Sequence, residues 1–197
     1  MDGRLLALLD DLHREGREHD ARHQDRQLRL RNLEPETGAL LHLLVRALRA
    51  RDVLELGTSN GYSTIWLAEA AARNGGRVTS VEVDPERTAQ AAKNLARARL
   101  AEVVDLHIGD AATVLRDTPA GSVDVVFLDA DRPEYPNYWD DLRRVLRRPG
   151  LVACDNAVSH AEQMAPFKAL VEADDGAITA LDETGAGVLL VSLPASA

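Results

Sequence analysis

Residues 53–63 read Val53-Leu54-Glu55-Leu56-Gly57-Thr58-Ser59-Asn60-Gly61-Tyr62-Ser63. A short apolar run stops at one glycine, a second glycine follows, and a helical pattern takes over at about residue 61. That is the strand–turn–helix unit of an α/β sheet. The unit recurs along the chain. Apolar runs at 78–81, 103–108, 123–128 and 151–154 alternate with helical patterns at about 61–73, 85–99, 110–117, 136–147 and 161–173. Such alternation predicts a mainly parallel sheet covered on both faces. Two last strands, at about 177–182 and 187–193, are separated only by Glu183-Thr184-Gly185-Ala186 and are expected to be antiparallel. The expected fold is a Rossmann-like, doubly wound, seven-stranded sheet with a terminal hairpin.

Upstream of this repeat, residues 4–12 place leucines at helical spacing. Residues 13–31 are dense in charge and are read as a solvated helix followed by a mobile segment. A second helix is expected to start near Pro35, with Leu40, Leu41, Leu44, Val45 and Leu48 on its inner face. One domain over 1–197, with a helical segment over about 1–50, is the resulting division. The composition, 45 % apolar and 28 % charged, is that of an ordinary globular chain. A net charge of −9 argues against a general nucleic-acid binder. No apolar run approaches the roughly 20 residues that span a bilayer. A signal-peptide pattern is missing, so a cytoplasmic protein is expected. The lone Cys154 excludes an internal disulfide and reads as a buried strand residue.

In doubly wound sheets, ligands bind beyond the carboxyl ends of the strands. Those ends carry Glu55 to Gly61, Glu82 to Asp84, Gly109-Asp110, Asp129 to Arg132 and Asp155-Asn156. Gly57 and Gly61 allow a sharp turn and close backbone approach to a ligand. Residue 59 is serine, so the Gly-x-Gly-x-x-Gly dinucleotide fingerprint is missing, which favours an adenosine-type ligand without phosphates. Glu82, 25 residues after Gly57, can accept both ribose hydroxyls. Asp110 and Ala111 are placed to edge an adenine, and Glu55 to meet the ammonium of an amino-acid tail. Together these fit S-adenosylmethionine better than a nicotinamide cofactor.

The same segments, with Val81-Glu82-Val83-Asp84-Pro85-Glu86-Arg87 and Phe127-Leu128-Asp129-Ala130-Asp131-Arg132 among them, resemble the catechol and caffeoyl-CoA type O-methyltransferases over about residues 30–193. The resemblance implies the class I methyltransferase sheet. It implies that Glu55, Gly57, Ser59 and Ser63 hold the methionine part of the cofactor, with Thr58 among them. Glu82 and Val83 would lie by the ribose, and Asp110 and Ala111 by the adenine. Asn32-Leu33 would fold over the methionine end. Asp129, Asp155 and Asn156 match the family's metal ligands, Asp129 also bordering the cofactor. A homodimer is implied as well.

Asp129 and Asp155-Asn156 end strands expected to lie about 4.8 Å apart. Two carboxylates and an amide oxygen suit Mg²⁺ or Ca²⁺, with water and two substrate oxygens completing the shell. By spacing alone, a loop-orienting Asp129 and a turn-capping Asp155-Asn156 are an equal reading; the resemblance favours the metal. A bound cation lowers the pKa of a coordinated hydroxyl, so a small phenolic or catechol-like acceptor is expected. The family pattern has a lysine three residues after the first metal aspartate, where this chain has Arg132. Arginine stays protonated and is no ordinary base. Arg132 is therefore read as a stabiliser of the acceptor oxyanion, with His160 as the alternative proton acceptor; loss of the activity is a third reading.

Tyr135, Tyr138 and Trp139 are read either as walls of an acceptor pocket or as helix packing, the latter favoured for Trp139. Trp66 reads as core, and His19 and His23 as a solvated helix face. Residues 26–31 are a candidate basic lid. Three competing functions stay open: a metal-independent methyltransferase acting on another atom, a nicotinamide-dependent oxidoreductase, and a catalytically silent cofactor-binding protein.

Overall fold

The computed structural model describes residues 1–25 and 28–195. Two helices, α1 (Gly3–Arg22) and α2 (Pro35–Ala47), precede the alternating part. That part runs β1 (Asp52–Leu56), α3 (Tyr62–Arg73), β2 (Arg77–Glu82), α4 (Pro85–Ala98), β3 (Val104–Ile108), α5 (Ala111–Asp117), β4 (Val123–Leu128), α6 (Tyr135–Val145), β5 (Leu146–Cys154), α7 (Ala161–Glu172), β6 (Ile178–Asp182) and β7 (Val188–Leu193). The strands form one sheet in the order β3-β2-β1-β4-β5-β7-β6. β1 to β5 pair in parallel, and β7 pairs antiparallel with both β5 and β6. This is the expected doubly wound sheet with its terminal hairpin.

Period-two alternation splits the core between the faces of the sheet. Val53, Val78, Val125, Phe127 and Ala153 pack beneath α1 to α4. Leu54, Leu56, Val81, Val126, Leu128, Val152 and Cys154 pack against residues of α5, α6 and α7. Both faces of the central strands are apolar because both are covered. Helix starts are written into the sequence. Asp84 accepts from Glu86 N at 2.8 Å ahead of Pro85, and Asp110 accepts from Thr113 N at 2.9 Å.

Two local expectations are corrected. Leu48 is 52 % exposed, because α2 ends at Ala47 and the chain turns there; Thr37, Gly38, Leu41 and Val45 form the buried face instead. The sixth helix stops at Val145, and β5 already begins at Leu146. The early start is the pairing of Leu146 with Val123 of β4, ahead of a shift in register, and next to it Arg147 ion-pairs with Asp124 and, at 3.3 Å, with Asp52 at the base of the sheet.

Candidate active site

The carboxyl edges of β1, β2, β4 and β5 open on one cleft of about 420 Å³, to which Leu30 and Arg31 contribute from the N-terminal side. It lies at the switch point where the chain order leaves β1 in both directions. The turn after β1 is held by Gly57 N and Thr58 N, which donate to Val81 O at 2.9 and 3.2 Å. Gly57 has φ +106°, and a Cβ there would fall 2.1 Å from Asp129 O, so only glycine lets the β1 turn reach the β4 tip. Ser59 N donates to Glu82 Oε2 at 2.8 Å, while Val83 N and Asp84 N donate to Oε1 at 3.0 and 3.1 Å. Three backbone donors thus fix a carboxylate that lines the cleft. Val83, 68 % exposed, lines it too, as do Asp110 and Ala111.

Other expected cofactor residues lie behind the cleft rather than in its wall. Glu55 is fully buried, and its carboxyl accepts from the Ser63, Thr64 and Ser80 hydroxyls, each at 2.5 Å. Burial pushes it up to about 7. Its side chain is taken up by this network, so the structure does not place it where it would meet a ligand's ammonium. The Thr58 hydroxyl, 2.5 Å from that of Ser80, belongs to the same buried group. Leu33 packs in the core, and Asn32 Nδ2 donates to Leu12 O at 3.1 Å. The N-terminal contribution shifts to Leu30 and Arg31. Asp20 accepts from both their backbone N–H groups, and Ser59 Oγ donates to Leu30 O at 3.0 Å. Of the candidate basic lid, Arg26 and Gln27 lie outside the described residues.

At the β4 and β5 tips, Asn156 Nδ2 donates to Asp129 Oδ1 at 3.1 Å and to Asp155 Oδ2 at 3.0 Å. A single amide thus bridges two carboxylates. Asp155 is 3 % exposed, and its Oδ1 is buried with no hydrogen-bond partner among the described residues. Burial, then the Asp129 charge, pushes Asp155 up to about 7. Burial also raises Asp129, with Arg31 and Arg132 pulling the other way. An orphaned oxygen and two carboxylates held above their usual range are what a cation would relieve, so the residues fit a hard divalent ion. Among the described residues, no cluster of three or more His, Cys, Asp and Glu adds to the set.

Arg132 and His160 both line the cleft, Arg132 from a short 3₁₀ turn and His160 from the start of α7. Tyr138 lines it as well. Tyr135 instead braces the Asp129 loop, its hydroxyl accepting from Ala130 N at 2.9 Å. Trp139 packs in the core and donates to Asp174 at 3.1 Å, and Trp66 is core. His23 bonds to His19 O, and the two rings stack. Burial pushes the Cys154 thiol up, consistent with a packing role.

Leu30 fell within the candidate lid of residues 26–31, whereas sequence reasoning missed Arg87 and Gln163 as site residues. Arg87 lines the cleft and donates to Arg29 O at 3.1 Å; its signal was its place just after the Glu82 turn. Gln163 donates nothing to the sequence pattern, yet its Oε1 accepts from Arg132 Nε at 2.9 Å.

The chain is 39 % identical over 130 residues to the catechol O-methyltransferase of Niastella koreensis, covering 64 % of this chain and 58 % of that one. It is 39 % identical over 123 residues to that of Mycobacterium tuberculosis, covering 62 % and 56 %. The aligned stretch thus spans under two thirds of the length of these curated relatives. An O-methyltransferase from Bacillus cereus, solved in complex with SAH, superposes with a TM-score of 0.79 at 26 % identity, covering 98 % of this chain and 91 % of that one. The O-methyltransferase family profile matches residues 7–183, and with nearly the whole sheet inside that match the chain belongs to the O-methyltransferase family.

Proposed function

We propose that this protein transfers the methyl group of S-adenosylmethionine to a hydroxyl of a small phenolic or catechol-like acceptor, assisted by a divalent cation. The observation that carries this reading is that Glu82, Asp129 and Asn156 face one cleft, and that Asn156 is bonded to the buried Asp155 carboxyl, whose other oxygen has no partner among the described residues. Glu82 is preset to accept the ribose hydroxyls, with Val83 and Tyr138 offering apolar surface to the nucleoside and Asp110-Ala111 its polar edge. The Gly57-Thr58-Ser59 backbone lets the methionine part approach closely. Glu55 and Ser63 support that turn from behind.

Asp129, Asp155 and Asn156 would hold the cation through oxygen, the Asn156 amide turning over to present Oδ1. When bound, a divalent ion there lowers the pKa of an acceptor hydroxyl and holds it toward the methyl group. The acceptor hydroxyl gives up its proton to water, and in the in-line displacement its oxygen–carbon bond forms as the sulfur–carbon bond breaks, leaving SAH and a methyl ether. Arg132 stabilises the acceptor oxyanion from a fixed, protonated guanidinium. His160 is the nearby alternative for taking the hydroxyl proton. A homodimer and a cytoplasmic location belong to the same reading; no helix among the described residues is long and apolar enough to cross a membrane.

The experiment is a methyl-transfer assay over phenolic acceptors with Mg²⁺ and with EDTA. Methylation of an aromatic diol that collapses under EDTA and returns with Mg²⁺ is expected. Undiminished methylation in EDTA overturns the metal assignment, and absence of SAH binding overturns the cofactor.

A further inference from the structure

Arg132 is only 8 % exposed, yet no carboxylate among the described residues comes within ion-pairing distance of it. The Asp129 and Asp155 carboxyls feel its charge without touching it. Among the described residues, the one hydrogen-bond partner of its side chain is the neutral amide of Gln163, on the first turn of α7, which accepts from Nε at 2.9 Å. A buried charge without a contacting counter-charge is costly unless something else pairs with it. Holding Nε at one edge fixes the plane of the guanidinium. Four N–H donors on the two terminal nitrogens remain, more than a single phenolate oxygen takes up.

Charge at this end of the cleft points the same way. A divalent ion would offset Asp129 and Asp155, leaving Arg31 and Arg132 in excess at the acceptor end. Of the other acids of the wall, Glu82 has its carboxylate taken up by three backbone donors, and Asp131 and Glu134 act on Tyr138 together with Asp110, toward the nucleoside end.

We propose that Arg132 and Gln163 form an anion-recognising subsite, and that the acceptor is a hydroxyarene carrying a carboxylate besides its reacting hydroxyl. Arg132 donates to that carboxylate from one terminal nitrogen and to the reacting oxygen from the other, two acceptors that the single ammonium of a lysine is less suited to hold apart. Gln163 is a positioning residue that keeps the fork turned into the cleft. This inference rests on the methyl-transfer reading for its acceptor, and its test is a binding measurement that does not need turnover.

Calorimetry would compare 3,4-dihydroxybenzoate with the matching neutral amide, 3,4-dihydroxybenzamide, on protein saturated with SAH and Mg²⁺. The benzoate is expected to bind about tenfold to a hundredfold more tightly, the usual strength of a charge-assisted bond. Arg132→Met should bring the two affinities level, Arg132→Lys should keep part of the preference, and Gln163→Leu should reduce it several-fold. Thermal melts of each variant check that the fold survives. Equal affinities in the wild type, or a preference that persists in Arg132→Met, overturn the subsite; a Gln163→Leu variant with the full preference overturns the role of Gln163. Failure of SAH to bind defeats the methyl-transfer reading instead, and the same comparison without SAH then still decides the subsite.

Discussion

Glu82 shows how a single side chain is prepared for a ligand before the ligand arrives. Three backbone N–H groups hold its carboxylate at 2.8 to 3.1 Å. Glu82→Gln removes the charge and sets an amide N–H₂ against a backbone donor. SAH affinity is expected to fall about tenfold to a hundredfold, with a stability loss of about 1 kcal/mol, read by calorimetry and thermal melting. His160 separates the two readings of proton removal. Its Nδ1 lies 2.9 Å from Ser159 Oγ, at the mouth of the same cleft. If it takes the proton, His160→Ala lowers kcat by about 10² or more and leaves SAH binding alone. With Arg132 and the cation sufficient, kcat changes little, and that is the expected result.

Among the elements, the α2–α3 contact shows how closely the N-terminal helices are fitted to the sheet. Gly38 of α2 faces Trp66 of α3, and a Cβ on it would lie 2.4 Å from Trp66 Nε1, a rigid ring atom. Gly38→Ala gains about 1 kcal/mol of helix propensity. Overpacking against the indole costs about 1–3 kcal/mol and should outweigh that gain. A net loss is expected, seen as a lowered urea midpoint with an unchanged slope. The N-terminal segment is tied to the cleft by Asp20, which accepts from Leu30 N at 2.7 Å and Arg31 N at 2.9 Å. α1 therefore contributes to the site at one remove, by placing Arg31.

For the whole molecule, three buried acids, Glu55 and the Asp129–Asp155 pair, make stability depend on solution conditions. Glu55 ties β1 to β2 through Ser80 and to α3 through Ser63 and Thr64, and burial raises it to about 7. Its unfolded value is about 4.3, so between these values the folded state holds the extra proton. Stability from this group is then greatest at low pH, falls as pH rises through that window, and levels off above about 7. Glu55→Gln should reduce the difference in Tm between pH 5 and pH 8, leaving the part that comes from the raised Asp129–Asp155 pair. The Asp129–Asp155 pair predicts a cation effect. Mg²⁺ at a hundred times its Kd stabilises the folded state by about 2.7 kcal/mol, raising Tm by several degrees. In Asp129→Asn that rise should vanish, a result calorimetric or fluorescence melting can check.

The order and bounds of nearly every strand and helix were legible in sequence, because hydrophobic period and glycine, proline and aspartate punctuation are local signals. The shared cleft was legible too, since parallel strands bring their carboxyl ends to one edge and Glu82, Asp129 and Asn156 stand at those ends. Leu48 and the start of β5 were misread because apolar period continues past the point where the chain turns after α2, and because the pairing of Leu146 with Val123 joins residues far apart in sequence. Which side chains face the ligand was decided only by tertiary packing: Glu55, Ser63 and Leu33 turned inward, while Leu30, Arg31 and Arg87 turned toward the cleft. The pairing of Arg132 with Gln163 joins residues 31 apart in the chain. No local periodicity encodes such a contact, because it exists only once the β4 loop and α7 have packed together.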